Sequence, residues 1–195
     1  MTLFVVRHGR TEANAGGLLL GRADPELDEI GRRQADEIAT ALPSGAQIVS
    51  SPLHRCRETA LAIAESSATR VVTDDRLLEL DYGEFDLRPL AEIPAETWAQ
   101  WRADPDFRPP GGETLRELAE RVGGALDDLS SAATAGDVVV VTHVSPIKAA
   151  LAWALGVGVG VSWRSFVAQA SITRIAVGER GPSLHTFNDV SHLSR

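Results

Sequence analysis

The sequence predicts an α/β protein, a three-layer α/β/α sandwich around a mainly parallel central sheet. Three observations lead there. Short apolar runs alternate with amphipathic helical stretches through most of the 195 residues. One run, Val138 to Val141, is continuously β-branched, as expected of a strand covered on both faces. Three of the runs end close to a cationic or imidazole side chain. That is the strand edge at which open α/β sheets bind ligands. The length fits a single domain over residues 1–195, and no internal repeat or linker divides it.

Leu3 to Val6 is the first buried strand, and Arg7-His8-Gly9 follows it. Gly9 lets the backbone approach a ligand closely, since it has no Cβ. Taken alone, these three residues also suit a plain surface turn. Thr11-Glu12-Ala13-Asn14 leads into a glycine-rich loop from Gly16 to Gly21. Asp28 is a suitable N-cap for a helix of about 14 residues, within the usual globular range, whose apolar face is Ala35, Ile38, Ala39 and Leu42. Pro43 and Gly45 end it.

Ala46 to Ser50 is the second strand. Ser51-Pro52 reads as a side-chain cap with proline at the first helical position. The helix it opens carries Leu53, Cys56, Ala60, Ile63 and Ala64 on one face, with Arg55 pointing elsewhere. Arg70 to Thr73 is a third strand, and Leu77 to Gly83 fits no class. Residues 86–112 are rich in proline and form an excursion over the core, helical only from Glu96 to Ala103. Trp98, Trp101, Arg102 and Arg108 lie in it, either as packed surface residues or as contacts to a ligand.

Glu113 to Leu129 has the clearest helical period in the chain, and Ala135-Gly136 closes it. The β-branched strand Val138 to Val141 precedes His143. Ser145-Pro146 then reads as another cap, with Ile147, Leu151, Ala154 and Leu155 continuing as a helix. Gly156 to Val161 reads as loop. Ile172 to Val177 and Ser183 to Phe187 form a hairpin around Gly178 to Pro182.

The composition is that of an ordinary globular protein, 44% hydrophobic and 24% charged. A net charge of -8 argues against nucleic acid or an acidic membrane surface as partner. An acidic protein that handles an anion must gather its positive charge locally. The one cysteine, Cys56, excludes an internal disulfide, and the chain opens with no basic leader or cleavable apolar segment. A reducing, cytoplasmic compartment is expected. No stretch is apolar enough to span a bilayer. No ligand cluster has metal spacing, so no metal and no cofactor is expected.

If the three strands are parallel neighbours, Arg7, His8, Arg55 and His143 share one edge of the sheet with two helix N-termini. Helix N-termini favour anions, and the planar arginine fork suits phosphate. The constellation is a phosphate-sized trap.

Arg7-His8-Gly9-Arg10-Thr11-Glu12-x-Asn14, Ser50-Ser51-Pro52-Leu53-x-Arg55-x-x-x-Thr59-Ala60, Leu78-Glu79-x-x-Tyr82-Gly83 and His143 occur in that order. Together they resemble the histidine phosphatase superfamily, in its phosphoglycerate-mutase-like branch. The resemblance implies a phosphoglycerate-mutase-like fold with residues 86–112 as a lid over the active site. It implies that His8 is the nucleophile and forms a phosphohistidine. Arg7, Arg55 and His143 would hold the phosphoryl oxygens. Glu79, rather than the nearby Glu84, would be the general acid and base. Thr11, Asn14, Gly21 and Val144 match positions around the phosphate pocket. Two departures stand out: Gly83-Glu84-Phe85-Asp86-Leu87 after the acid, where relatives often have Gly-x-Trp-Glu-Gly, and His143-Val144-Ser145, where they often have His-Gly.

Hydrolysis of small phosphate monoesters is favoured over mutase activity. The excursion is short, with only Arg88, Arg102 and Arg108 as cations. Pro109-Pro110-Gly111-Gly112-Glu113-Thr114 is similar to the Pro-x-Gly-Glu-Ser/Thr element of the family's phosphatases, among them the α-ribazole phosphatase type. The expected partner is a small phosphorylated metabolite, and a homodimer stays open. A mutase and a regulatory phosphate-binding module are the alternatives.

Overall fold

A computed structural model describes residues 1–67, 69–132 and 136–194. In chain order the elements are β1 (Thr2–Arg7), α1 (Glu12–Ala15), α2 (Glu29–Ala41), β2 (Gln47–Ser50), α3 (His54–Ser67) and β3 (Val71–Thr73). Then come α4 (Ala95–Ala103), α5 (Leu115–Ala132), β4 (Val138–Thr142), α6 (Val144–Leu155), β5 (Ile172–Gly178) and β6 (Gly181–Asp189). Single 3-10 turns fill Asp75–Leu77, Gly83–Phe85 and Leu90–Glu92, and a longer one spans Val159–Arg164.

The six strands form one sheet in the order β3-β2-β4-β1-β5-β6. The pairings β3-β2, β2-β4 and β4-β1 are parallel, and the β5-β6 hairpin joins β1 antiparallel. This is the expected mainly parallel sheet, with β2, β4 and β1 as direct neighbours.

Successive strand residues face opposite sides of a sheet, and here both sides are buried. Leu3, Val5, Val138 and Val140 pack with Leu118, Val122 and Ala125 of α5 and Ile147 and Ala150 of α6. Phe4, Val6, Val139 and Val141 pack with Ile38 of α2 and Cys56, Ala60 and Ile63 of α3. The three layers are therefore α2 and α3, the sheet, and α5 and α6. Burial of each of the four fully covered valines of β4 contributes about 1.5–3 kcal/mol, which fixes the strand that leads to His143.

α2 starts at the expected cap, with the Asp28 carboxylate accepting from the Gly31 amide. α5 opens on a capping box: the Thr114 hydroxyl accepts from the Glu117 amide and the Glu117 carboxylate from that of Thr114. Of the expected Ala135-Gly136 stop, Ala135 lies outside the described residues.

Four readings of local structure need correction. α1 was not foreseen; its short run is made helical by a capping box between Thr11 and Asn14. Residues Val159–Arg164 form a 3-10 turn, where part of the stretch reads as loop. α3 starts at His54, two residues beyond Pro52, and α6 starts at Val144 with His143 as N-cap, so Pro146 is its third residue rather than its first. In both helices the serine taken for a cap has another task, described below.

Candidate active site

β1, β2 and β4 end side by side, and the residues that follow them converge. Ring centroids of His8 and His143 lie 5.2 Å apart in an edge-to-face arrangement. His8 is held from both ring nitrogens. Its Nδ1 lies 2.7 Å from the Gly9 carbonyl, which can only accept, so Nδ1 carries the hydrogen. Its Nε2 lies 3.3 Å from Nε of Arg55, which can only donate, so Nε2 carries the lone pair. Burial, reinforced by Arg55 and Arg7, drives the His8 pKa well below its ordinary value. The ring is therefore a neutral imidazole with its basic nitrogen fixed in direction.

Gly9 serves this placement, though not as expected. A Cβ there would lie 2.3 Å from the Gly31 carbonyl oxygen, and one on Gly31 would lie 2.0 Å from that of Arg10. The loop after His8 thus packs directly on the first turn of α2, and the close approach is to the protein's own backbone.

Arg55 is fully buried. Its Nη1 and Nη2 donate to the carbonyls of Ala23 and Gly21 at 2.7 and 2.8 Å. Those two residues are held in turn by Asp86, whose carboxylate accepts from the amides of Gly21 and Ala23, each at 2.7 Å. Gly21 is thus a support for Arg55 and not a residue of the cavity wall. Sequence reasoning passed over Asp86, treating its stretch only as a departure from the usual pattern.

His143 is also fully buried. Its Nε2 lies 2.8 Å from the Ser51 hydroxyl and 3.4 Å from Sγ of Cys56. Burial and the nearby Arg55 push its pKa well down. Burial pushes the Cys56 thiol up, so it stays protonated. The Ser51 hydroxyl thus engages a ring 92 residues away while it also accepts from the Leu53 amide ahead of α3. Thr11, another residue expected at the pocket, is buried behind it and fixes Asn14 through the capping box.

Glu79 is buried, and its carboxylate accepts from the amides of Leu80 and Ser145 at 2.7 and 3.1 Å. Burial outweighs these bonds and raises its pKa. The Ser145 amide is thus spent on Glu79, at the second residue of α6. Arg121 of α5 staples the segment down, donating to the carbonyls of Arg76, Leu78 and Glu79 while its Nε meets Glu113 at 2.6 Å. Glu84 is exposed and stands away from the cavity.

A cavity of about 320 Å³ opens over these groups. His8, Arg7, Asn14, Glu79, Val144 and Ser145 line its polar end, and Leu18, Leu20, Leu90, Trp98, Trp101 and Trp163 wall much of the rest. Arg7 donates from Nη1 to the Val167 carbonyl at 2.8 Å, while its buried Nε has no partner. Burial lowers its pKa to about 10, so it remains charged at neutral pH. Arg55 and His143 lie behind the wall and reach the site through His8.

Of the excursion residues, Trp98 and Trp101 stack at 5.6 Å and face the cavity. Arg102 lies over the Trp163 ring instead, and Arg108 is tied to Glu117 and the Gly112 carbonyl. Lys148, on the cavity wall one turn beyond Val144, was not anticipated, because a lone lysine on an apolar helix carries no motif. Among the described residues no group of three or more His, Cys, Asp or Glu could hold a metal ion, and no helix is long and apolar enough to cross a membrane.

Comparison with known proteins covers most of the chain. Residues 3–190 match the sequence profile of the "Histidine phosphatase superfamily (branch 1)". The bifunctional protein Rv2228c of Mycobacterium tuberculosis is 37% identical over 177 residues, 88% of this chain and 49% of that protein. The chain thus spans about half the length of this and the other mycobacterial relatives it matches. A probable phosphoglycerate mutase GpmB from Proteus mirabilis is 33% identical, covering 100% of this chain and 95% of that one. A crystal structure of a mutant phosphoserine phosphatase from Entamoeba histolytica, in complex with phosphoserine, superposes with a TM-score of 0.90 at 26% identity over 99% of both chains.

Proposed function

The chain belongs to the histidine phosphatase superfamily, branch 1, and from that premise we propose that it hydrolyses small phosphate monoesters through a phosphohistidine on His8. The observation that carries this reading is the tautomer lock. The Gly9 carbonyl and Arg55 Nε leave His8 neutral, with its basic Nε2 fixed in direction on a ring that lines the cavity. A neutral, oriented imidazole is the nucleophile this reaction needs.

In the first step Nε2 attacks phosphorus and the bond to the ester oxygen breaks. The unpartnered Nε of Arg7 meets a phosphoryl oxygen, while both Nη groups of Arg55 stay on the Ala23 and Gly21 carbonyls. As the N–P bond replaces the Arg55–His8 hydrogen bond, Arg55 Nε is freed to donate to one of the phosphoryl oxygens. Glu79, kept protonated to higher pH by burial, gives its proton to the leaving oxygen. In the second step the Glu79 carboxylate takes a proton from water as that water attacks phosphorus. The P–N bond breaks, and inorganic phosphate and a neutral His8 remain. His143 packs against the His8 ring and restrains it. Most of the gain comes from placement and charge, as phosphoryl transfer requires.

Hydrolysis is favoured over mutase action by the cavity wall. Leu90, Trp98 and Trp101 come from the short excursion, whose Arg102 and Arg108 are engaged elsewhere. A mutase would hold and turn its second anionic group with several cations from the excursion, whereas none of Arg88, Arg102 and Arg108 lines this cavity, which leaves Lys148 as its one cation besides Arg7 among the described residues. The proposed partner is a small phosphorylated metabolite. A cytoplasmic location is part of the proposal, supported by a single, buried, unpaired cysteine.

The test is phosphate release from a generic aryl phosphate by the wild type and His8→Ala. Release by the wild type alone, with acid-labile phosphoprotein trapped on rapid quenching, is expected. Equal rates in both proteins would remove His8 from the chemistry. Turnover of phosphoglycerates to their isomers, without phosphate release, would favour the mutase.

A further inference from the structure

The polar end of the cavity accounts for one phosphoryl group. Three further polar groups on its wall have no such assignment. Lys148 lies on α6 at the position four residues after Val144 and three after Ser145, so all three share one face. Its ammonium takes part in no ion pair or hydrogen bond identified among the described residues. Ser162 is 5% exposed, and its hydroxyl has no partner. Trp101 is 1% exposed, and its indole N–H has no partner either. All three residues line the cavity. Buried donors are ordinarily satisfied; the Ser162 hydroxyl and the Trp101 indole N–H are two that are not, and with the half-buried Lys148 ammonium on the same wall they indicate an acceptor that arrives with the ligand.

Their neighbours show which end of the cavity they serve. Lys148 follows Ser145 by three residues on α6, and the Ser145 amide is the one that holds the Glu79 carboxylate. Lys148 therefore stands on the Glu79 side, where the leaving alcohol departs. Around it the wall is apolar and flat: Trp98 is stacked on Trp101, and Trp163 meets both edge-on.

We propose that Lys148, Ser162 and Trp101 form a leaving-group subsite for a carboxylate, carried on a flat apolar body that packs against Trp98 and Trp163. The inference rests on the phosphatase reading and deepens it by naming the substrate class. The alcohol is amphipathic: its hydroxyl carries the phosphate, its body is apolar, and its far end is anionic. A carboxylate accepts from the ammonium, the hydroxyl and the indole N–H together, without requiring a proton from any of them. A substrate holding only a carboxylate, with no ring or chain, leaves the tryptophan wall uncovered.

The test compares phenyl phosphate, para-carboxyphenyl phosphate and phosphoglycolate as substrates of the wild type, Lys148→Met, Lys148→Arg and Ser162→Ala. In the wild type, kcat/KM for the carboxylated ring is expected to exceed that for the plain ring by about tenfold, the scale of one hydrogen bond to a charged group. Phosphoglycolate is expected to fall below the carboxylated ring. Lys148→Met brings the ratio of the two aryl esters close to one, mainly through KM. Lys148→Arg retains a preference, and Ser162→Ala gives an intermediate ratio. No preference in the wild type overturns the inference. An equal loss on both aryl esters in Lys148→Met overturns it too, because Lys148 would then serve the phosphoryl group. Phosphoglycolate matching the carboxylated ring removes the apolar body from the substrate class. Calorimetric binding of the same compounds to His8→Ala, with and without Lys148→Met, reads the preference without turnover. An inactive wild type whose binding still discriminates would sink the phosphatase reading alone, and equal binding of both aryl esters would sink the subsite.

Discussion

Arg55 Nε faces Nε2 of His8 across 3.3 Å, while the rest of its guanidinium grips the carbonyls of Gly21 and Ala23. The same side chain thus orients the nucleophile and braces the loop beside it. Lysine cannot reproduce three divergent donors from a planar fork. Arg55→Lys is expected to lower kcat by about 10²–10³-fold, the scale of one lost transition-state donor, and to lower the melting temperature. Steady-state kinetics with an aryl phosphate, alongside thermal melts, checks this. Wild-type kcat in a folded Arg55→Lys protein would contradict it.

The two reacting groups titrate in opposite senses. His8 must be neutral, and burial with Arg55 and Arg7 lowers its pKa, so activity is lost only at pH values well below the ordinary histidine range. Glu79 must be protonated for the first step, and burial raises its pKa. Activity therefore declines as pH rises through that raised value, and kcat/KM follows a bell whose acid limb belongs to His8 and whose alkaline limb belongs to Glu79. Glu79→Gln is expected to flatten the alkaline limb, with a larger loss for alkyl than for nitrophenyl esters, whose leaving groups need no proton. A full alkaline limb in Glu79→Gln would assign it to another group.

Glu79 also links stability to pH. Its folded-state pKa lies above the unfolded one, so the folded protein holds this proton more tightly. The cost of ionising it in place is absent below the unfolded pKa and complete above the folded one. Glu79→Gln is thus expected to raise the melting temperature near neutral pH relative to wild type, with the difference closing as pH falls through the carboxylate range. An unchanged difference between acid and neutral pH would refute the linkage.

Asp86 touches neither His8 nor Arg55 directly. It holds the amides of Gly21 and Ala23, whose carbonyls hold Arg55. Asp86→Ala is expected to lower kcat by roughly ten- to a hundredfold, because small misplacements of a positioned group are costly, with KM for phenyl phosphate changing less. Asp86→Glu should recover part of the loss. Equal falls in kcat for Asp86→Ala and Asp86→Glu, tracking lost stability alone, would argue for a purely structural role.

Gly31 lets the loop that follows His8 lie against α2. Alanine there would place Cβ 2.0 Å from the Arg10 carbonyl oxygen. Overpacking of this kind costs about 1–3 kcal/mol, and here the neighbour is backbone, which yields less easily than a side chain. Gly31→Ala is expected to destabilise the protein by that amount in urea melts and to weaken turnover by displacing His8. Alanine tolerated without change in either measure would contradict the contact.

Much of the fold was legible in the chain itself. The covered strand Val138–Thr142, the capped helix after Asp28 and the closing hairpin follow from local periodicity and turn chemistry, which short-range sequence records directly. Arg7, His8, Arg55 and His143 could be picked out because they follow strand ends, whereas Glu79 could be picked out only through the resemblance to the family's motif. Only the tertiary structure decided what those residues touch. The Ser51 hydroxyl pairs with His143 as well as with the Leu53 amide, and Ser145 gives its amide to Glu79. Asp86, Lys148, Ser162 and Trp101 acquire their positions from elements far apart in the chain. Periodicity fixes which face of an element is apolar. The partner of a buried donor is fixed only when distant elements pack, because each such group must find its acceptor in whatever the fold brings beside it.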